Sequence, residues 1–302
     1  MRAPVSRGPR KSVTEPTRGY RVFQGVNGVI LTLVVIVTLY PFVNIIARSF
    51  SGERQIRAGE VTLWPKGFNL TTYKIVFEDD AFWRSYGNTV LYTVVSTVIA
   101  MTLTTIYAYV LSKRELRGRG LLIGIAVFTM FFSGGLIPNY VLITSLGLKN
   151  SVWAIALPNA ISVFNLLVMK AFFENMPKDL EEAAQIDGLS TYGILWRIVL
   201  PLSKAVIATM VLFYSVSFWN SWFSAFLYMD RTELMPVTVY LRNLIAGATT
   251  GSNSGAGLDQ LSQAAANIQS VTIVLTALPI LAVYPFVQRY FVSGVMLGAV
   301  KG

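Results

Sequence analysis

"EEAAQIDGLSTYGILWRIVLP", residues 181–201, interrupts a chain that otherwise reads as long apolar runs between residues 22 and 288. Glu181, Glu182 and Asp187 crowd together, the pattern breaks at Gly188, turns amphipathic, and ends at Pro201. Pro177 suits a first helical turn, and Asp179, Glu181 and Glu182 supply the negative charge favoured there. Leu180, Ala183 and Ala184 fall at i, i+3 and i+4, which predicts a narrow face of small side chains. Gly188 predicts a left-handed stop, and Ser190 predicts the cap of a second helix. In that helix Leu195, Ile198, Val199 and Leu202 form an apolar ridge, and Pro201 sets the angle at which the chain leaves it. The stretch reads as helix, glycine turn, helix. Such a unit can lie in a groove of another protein, or pack as an interfacial hairpin on its own bundle.

The surrounding composition says where the unit sits. Of 302 residues, 54% are hydrophobic and 13% charged, against about a quarter charged in soluble domains. Uncharged windows run from Arg21 to Arg48, Arg84 to Lys113, Arg119 to Lys149, Lys149 to Lys170, Lys204 to Asp230 and Asp259 to Arg289. Each can hold the roughly 20 apolar residues a spanning helix needs, and none shows strand alternation. We therefore expect an all-α membrane protein with six spans, near 26–47, 86–111, 120–143, 151–170, 204–228 and 267–287, within a membrane domain of 22–288. Residues 1–21 and 289–302 are then tails, and 177–201 a cytoplasmic insert.

Direction follows from lysine and arginine. The first 21 residues carry six basic side chains against Glu15, and Lys113, Arg114, Arg117 and Arg119 surround Glu115 alone. Both segments fall on one side if the N-terminus is cytoplasmic, which puts both termini and the 170–204 connection there. The 48–85 loop is nearly balanced and does not vote. The basic leader resembles that of a secretory signal, but its apolar region is about twice the usual length and lacks a small-residue cleavage site, so it reads as an uncleaved span. Most of the +10 net charge is thus topological, and no nucleic-acid partner is needed to explain it.

Several chemistries are missing. Cysteine and histidine are absent, which removes thiolate nucleophiles, the usual metal sites and the commonest general base. The six windows hold no ionisable acid or base of the kind that ion-coupled carriers place inside a membrane. No G-x-x-x-x-G-K-[ST] phosphate loop occurs, so any uphill work must be driven by a partner. We expect no catalytic residue, metal or cofactor on this chain. Polar side chains in the windows, Asn159, Ser162 and Asn165 in the fourth and Ser217, Trp219, Asn220, Ser221 and Trp222 in the fifth, serve either interhelical bonding or a pore lining. Ser133-Gly134-Gly135 before Pro138 predicts a sharp bend or unwinding in the third span.

Glu182-Ala183-Ala184, then Asp187-Gly188, nine residues, Ile198, one residue and Leu200-Pro201 resemble the EAA signature of bacterial ABC importer permeases. Phe132-Ser133-Gly134-Gly135-Leu136-Ile137-Pro138 resembles the third-span motif of carbohydrate-importer permeases of the lipoprotein-linked, LplC/YtcP-like group, whose cargoes include uronides such as alginate fragments. Gly298-Ala299-Val300-Lys301-Gly302 resembles the tail of permeases similar to the maltose importer's MalG subunit. The resemblance covers about residue 85 to the end, and implies a type I ABC importer permease fold in the bacterial cytoplasmic (inner) membrane. It implies that 177–201 is a coupling helix region seated in a cleft of an ATPase subunit, with Glu181, Glu182, Ala183, Ala184, Asp187, Gly188, Ile198, Leu200 and Pro201 at the contact. Gly298, Lys301 and Gly302 would reach between two ATPase subunits, which hold ATP and Mg. A second, homologous permease completes the pore, an extracytoplasmic solute-binding protein delivers the cargo, and Asn165, Ser217, Trp219, Asn220 and Trp222 are candidates to line its path. The expected cargo is an oligosaccharide, with an acidic one favoured. An amino-acid or phosphate importer, or a membrane scaffold docking a non-ATPase partner, are the rival readings.

Overall fold

In a computed structural model, the protein is described over residues 18–251, 267–283 and 285; the expected C-terminal tail 289–302 and residues 1–17 of the expected N-terminal tail lie outside these residues. The described elements are helical. The first, α1 (Arg18–Ser49), runs through Pro41 and is exposed from Arg18 to Val43. It joins the rest at its C-terminal end, where the Asn44 amide donates to the carbonyls of Val61 and Thr62 at 3.2 and 2.7 Å. Two short helices, α2 (Glu53–Arg57) and α3 (Thr71–Glu78), follow under a run of stacked rings from Phe50 through Tyr73 and Phe77 to Trp83.

The spine is α4 (Asp80–Ser112), whose N-terminus is capped by the Asp79 carboxylate accepting from the Ala81 N–H at 2.8 Å. Its buried face is rich in small residues, among them Ser85, Thr89, Ser96, Thr104 and Ala108. Small side chains let helices approach closely where lipid gives little hydrophobic incentive to associate. Against it lie α8 (Val163–Glu174), α12 (Lys204–Trp219) and α14 (Val237–Gly251). Thr104 and Tyr214 pair at 2.6 Å, and the Asn88 amide and Tyr92 hydroxyl donate to the carbonyls of Glu233 and Leu234.

By length and composition α1 and α4 are able to cross a membrane, and two bent pairs could each add one span. The first pair is α5 (Arg119–Phe131) and α6 (Leu136–Ser145), which meet at 113°. The bend lies at the Ser133-Gly134-Gly135 run, with Gly135 at φ +89°, a conformation costly for any side chain. Pro138 sits in the first turn of α6, where a missing N–H is harmless. The second pair is Thr191–Leu202 with α12, bent by 84° at Ser203. Asn267–Val283, here α15, is a shorter apolar helix.

Two expected continuous helices are interrupted. In place of one helix over 151–170 there is α7 (Trp153–Ala156), an irregular segment at 157–162, and α8. Pro158 disfavours helix at its predecessor and cannot donate. The break is held by the Tyr214 hydroxyl, which accepts from the Ser162 N–H at 2.9 Å, while the Ser162 hydroxyl caps α8. In place of one helix over 204–228, α12 stops at Trp219 and α13 (Trp222–Tyr228) follows. Asn220 and Ser221 direct their side chains to the carbonyls of Val216 and Phe218, competing with the ladder the helix would need.

At the far end from the insert, Lys149 pairs with Asp230 at 2.9 Å, and Asn150 accepts from the Asp230 N–H at 2.7 Å. The hydrogen bond to Asp230 raises the Lys149 pKa, and the same bond lowers that of Asp230, so both stay charged near neutrality.

Candidate functional site

The insert is two helices around a glycine turn. The first, α9 (Lys178–Ile186), begins after Pro177 with Asp179 and Glu181 in its first turn. It ends in a Schellman turn: the Leu189 N–H reaches the Ala184 carbonyl and the Gly188 N–H the Gln185 carbonyl, each at 3.0 Å. Gly188 sits at φ +81°, so the stop needs a residue without a Cβ penalty. Ser190 then caps α10 (Thr191–Ile194), its hydroxyl accepting from the Gly193 N–H at 3.2 Å.

The inner face of the insert packs on the body. Ala184, Ile194, Leu195 and Val199 join a core with Tyr109, Leu166, Met169, Phe173 and Met210. The small-residue face expected from Leu180, Ala183 and Ala184 is split, because Ala184 turns inward while Leu180 and Ala183 are exposed. The apolar ridge is altered too. Residues Leu195–Val199 form a π turn before α11 (Leu200–Leu202), and its wider i to i+5 spacing shifts the register. Leu195 and Val199 stay buried, whereas Leu202 is turned out at 55% exposure.

Three ion pairs fasten the insert and its approach to the loop after α4. Lys113 pairs with Glu181 and also lies 4.3 Å over the Tyr109 ring. Lys178 faces Glu115 at 3.8 Å. Arg119 pairs with Glu174, which Lys170 also meets at 2.9 Å, and donates through Nε to the Leu111 carbonyl at 2.8 Å. The Glu115 carboxyl is held below its usual range, first by its own backbone N–H and then by Lys178, Lys113 and Arg114.

These contacts separate two neighbouring acids that sequence spacing could not tell apart. Glu181 is committed within the chain, while Glu182 is exposed with no ion pair or hydrogen bond among the described residues. Beside Glu182 and Asp187 stand Ile186 and Tyr192, 87% and 77% exposed. Sequence reasoning missed both; their signal was an apolar residue on each side of Asp187-Gly188 that belongs to no packed face. The free surface is therefore a small acidic and apolar knob on a base clamped by ion pairs. It can grip a complementary cleft and carry a push into α4 and α5.

The expected pore residues have different surroundings. Asn165 is buried in α8. Trp219 is buried and donates to the Thr276 carbonyl at 3.2 Å, an interhelical role. Trp222 lies under the Arg242 guanidinium at 5.3 Å, and Ser217 and Asn220 are exposed. Gly298, Lys301 and Gly302 fall outside the described residues.

Among the described residues the body is helical and carries this knob on one side. Residues 121–297 match the binding-protein-dependent transport system inner membrane component family, and the chain belongs to it. It is 43% identical to protein LplC of Bacillus subtilis over 286 residues, covering 95% of this chain and 97% of that protein. It is 41% identical to the polygalacturonan/rhamnogalacturonan transport system permease protein YtcP of the same organism, covering 90% and 96%. Its fold is similar to a chain in the crystal structure of a bacterial ABC transporter involved in the import of the acidic polysaccharide alginate, at a TM-score of 0.83 and 34% identity, covering 91% and 98%. The protein is thus a transport subunit and not an enzyme; ATP hydrolysis belongs to partner subunits.

Proposed function

We propose that this chain is one of two permeases in an ATP-driven importer of acidic oligosaccharides. The observation that carries the coupling role is the knob of Glu182, Ile186 and Tyr192 on an ion-paired base. It has the shape and charge to sit in a cleft of an ATPase subunit, where a basic side chain meets Glu182. The cargo reading draws on the relatives, one named for polygalacturonan and rhamnogalacturonan and one crystallised for alginate import. In the proposed assembly a homologous permease completes the pore, two ATPases hold ATP and Mg, and an extracytoplasmic binding protein delivers the saccharide. The six spans and the cytoplasmic placement of both termini belong to the same proposal, supported by the charge asymmetry of the loops. ATP closes the ATPase pair, the knobs move together, and the permeases exchange inward-open for outward-open states.

Purification of the chain from its native membrane should bring down an ATPase subunit and a second permease. Uptake of labelled oligogalacturonide or alginate oligosaccharide should be competed by uronides and not by amino acids or phosphate. A chain that never carries a nucleotide-hydrolysing subunit would refute the importer reading. The tail is assigned a second contact with the ATPases. Deleting 293–302 should lower saccharide-stimulated ATP hydrolysis severalfold without loss of membrane insertion, and an unchanged rate would remove that contact.

A further inference from the structure

We propose that a cleft of about 710 Å³, where three helix interruptions meet, grips the saccharide by its hydroxyls on the way through this chain. The inference rests on the importer reading and adds where the cargo is held. The interruptions are those at 132–135, 157–162 and 220–221. The cleft takes residues from each or from just beyond it: Ser133, Asn159 and Ser224. Irregular backbone at membrane depth survives only inside protein or against a water-filled cavity, so three breaks converging on one space mark that space as wet. The depth is consistent. From Arg119 to Phe131, α5 is about 20 Å long, two thirds of a hydrocarbon core roughly 30 Å thick.

The chemistry of the lining narrows the ligand. No lining residue is charged. The Asn139 and Asn159 amides and the Ser224 hydroxyl have no intramolecular partner for their side chains among the described residues, so their donors and acceptors are free. Each amide offers two N–H donors and a carbonyl, which suits adjacent hydroxyls on a sugar ring. Phe223 and Tyr228 supply apolar walls for its C–H faces. Lys149, which directly follows the lining residue Leu148, is already engaged by Asp230 and the Tyr140 hydroxyl. The cleft therefore reads hydroxyl pattern, and selection for acidic cargo falls elsewhere in the assembly.

The chain has no cysteine, so a single introduced one is the only labelling site on this subunit. In the complete transporter, Asn139→Cys, Asn159→Cys and Ser224→Cys are labelled with a water-soluble maleimide, with and without saturating oligogalacturonide and binding protein. Thr144→Cys, on α6 but outside the cleft, serves as the control. Saccharide should slow labelling at least fivefold at the three cleft positions and leave the control unchanged. Import of the same saccharide by the wild-type complex, measured alongside, reports separately on the importer reading. Unaltered labelling at all three positions in a complex that imports overturns the cleft.

Discussion

Glu182→Lys should reduce saccharide uptake by the complete transporter at least thirtyfold while the chain remains inserted in the membrane. Glu182 has no partner of its own to lose, since it is exposed and unpaired among the described residues, so folding has little stake in it. In the proposed assembly its value lies at the ATPase contact. Breaking a desolvated charge pair at an interface costs on the order of 2–5 kcal/mol, and reversal adds repulsion. With 1.4 kcal/mol per tenfold, that range starts near thirtyfold. Gly188→Val acts through the backbone. Nothing lies within 4 Å of the added Cβ, but φ is +81°, where a β-branched residue is strained by about 1–2 kcal/mol. The strain redirects the exit from α9, and uptake should fall about tenfold. Gly188→Asn, which tolerates left-handed backbone, should stay within severalfold of wild type. Wild-type uptake in both Glu182→Lys and Gly188→Val would sink the knob as the ATPase contact.

The second large effect concerns the base of the knob. Lys113→Glu sets a carboxylate against Glu181, near Glu115, and removes the cation above Tyr109. Glu181→Lys sets two cations together. Each single change should lower uptake about tenfold, because α9 loses its tether to the end of α4. The exchanged pair, Lys113→Glu with Glu181→Lys, should recover half or more of wild-type uptake, since neighbouring charges couple by about 0.5–3 kcal/mol in a double-mutant cycle. An exchanged pair no better than either single variant would mean the bridge does not carry the motion. The two experiments probe different links: Glu182 tests what the knob touches, Lys113 what the knob pushes.

Legibility in the sequence tracked the range of the forces involved. The bend at Gly134-Gly135, the left-handed stop at Gly188 and the cap at Ser190 were all readable, because each depends on residues within a turn of one another. The roles of Glu181 and Glu182 were not. Spacing gives them the same charge and the same turn, and the choice between them depends on Lys113, distant along the chain but adjacent in space. The same holds for Leu202, whose ridge position assumed an α-helical register that the π turn at 195–199 shifts. Trp219 and Asn165 were singled out by polarity alone, and only packing shows that both are buried, Trp219 donating to the Thr276 carbonyl of α15.

By itself the sequence determined the solvent, the helical class and the class of work. Its uncharged windows demand lipid, its lack of a phosphate loop demands an external motor, and the Glu182–Pro201 pattern marks the place where we propose that motor acts. Only the tertiary structure decided which acid is free, which helices break, and that the breaks at 132–135, 157–162 and 220–221 open on one cleft. Those outcomes depend on hydrogen bonds and ion pairs between segments far apart in the chain, such as Tyr214 with Ser162 and Lys113 with Glu181, and no local pattern encodes them.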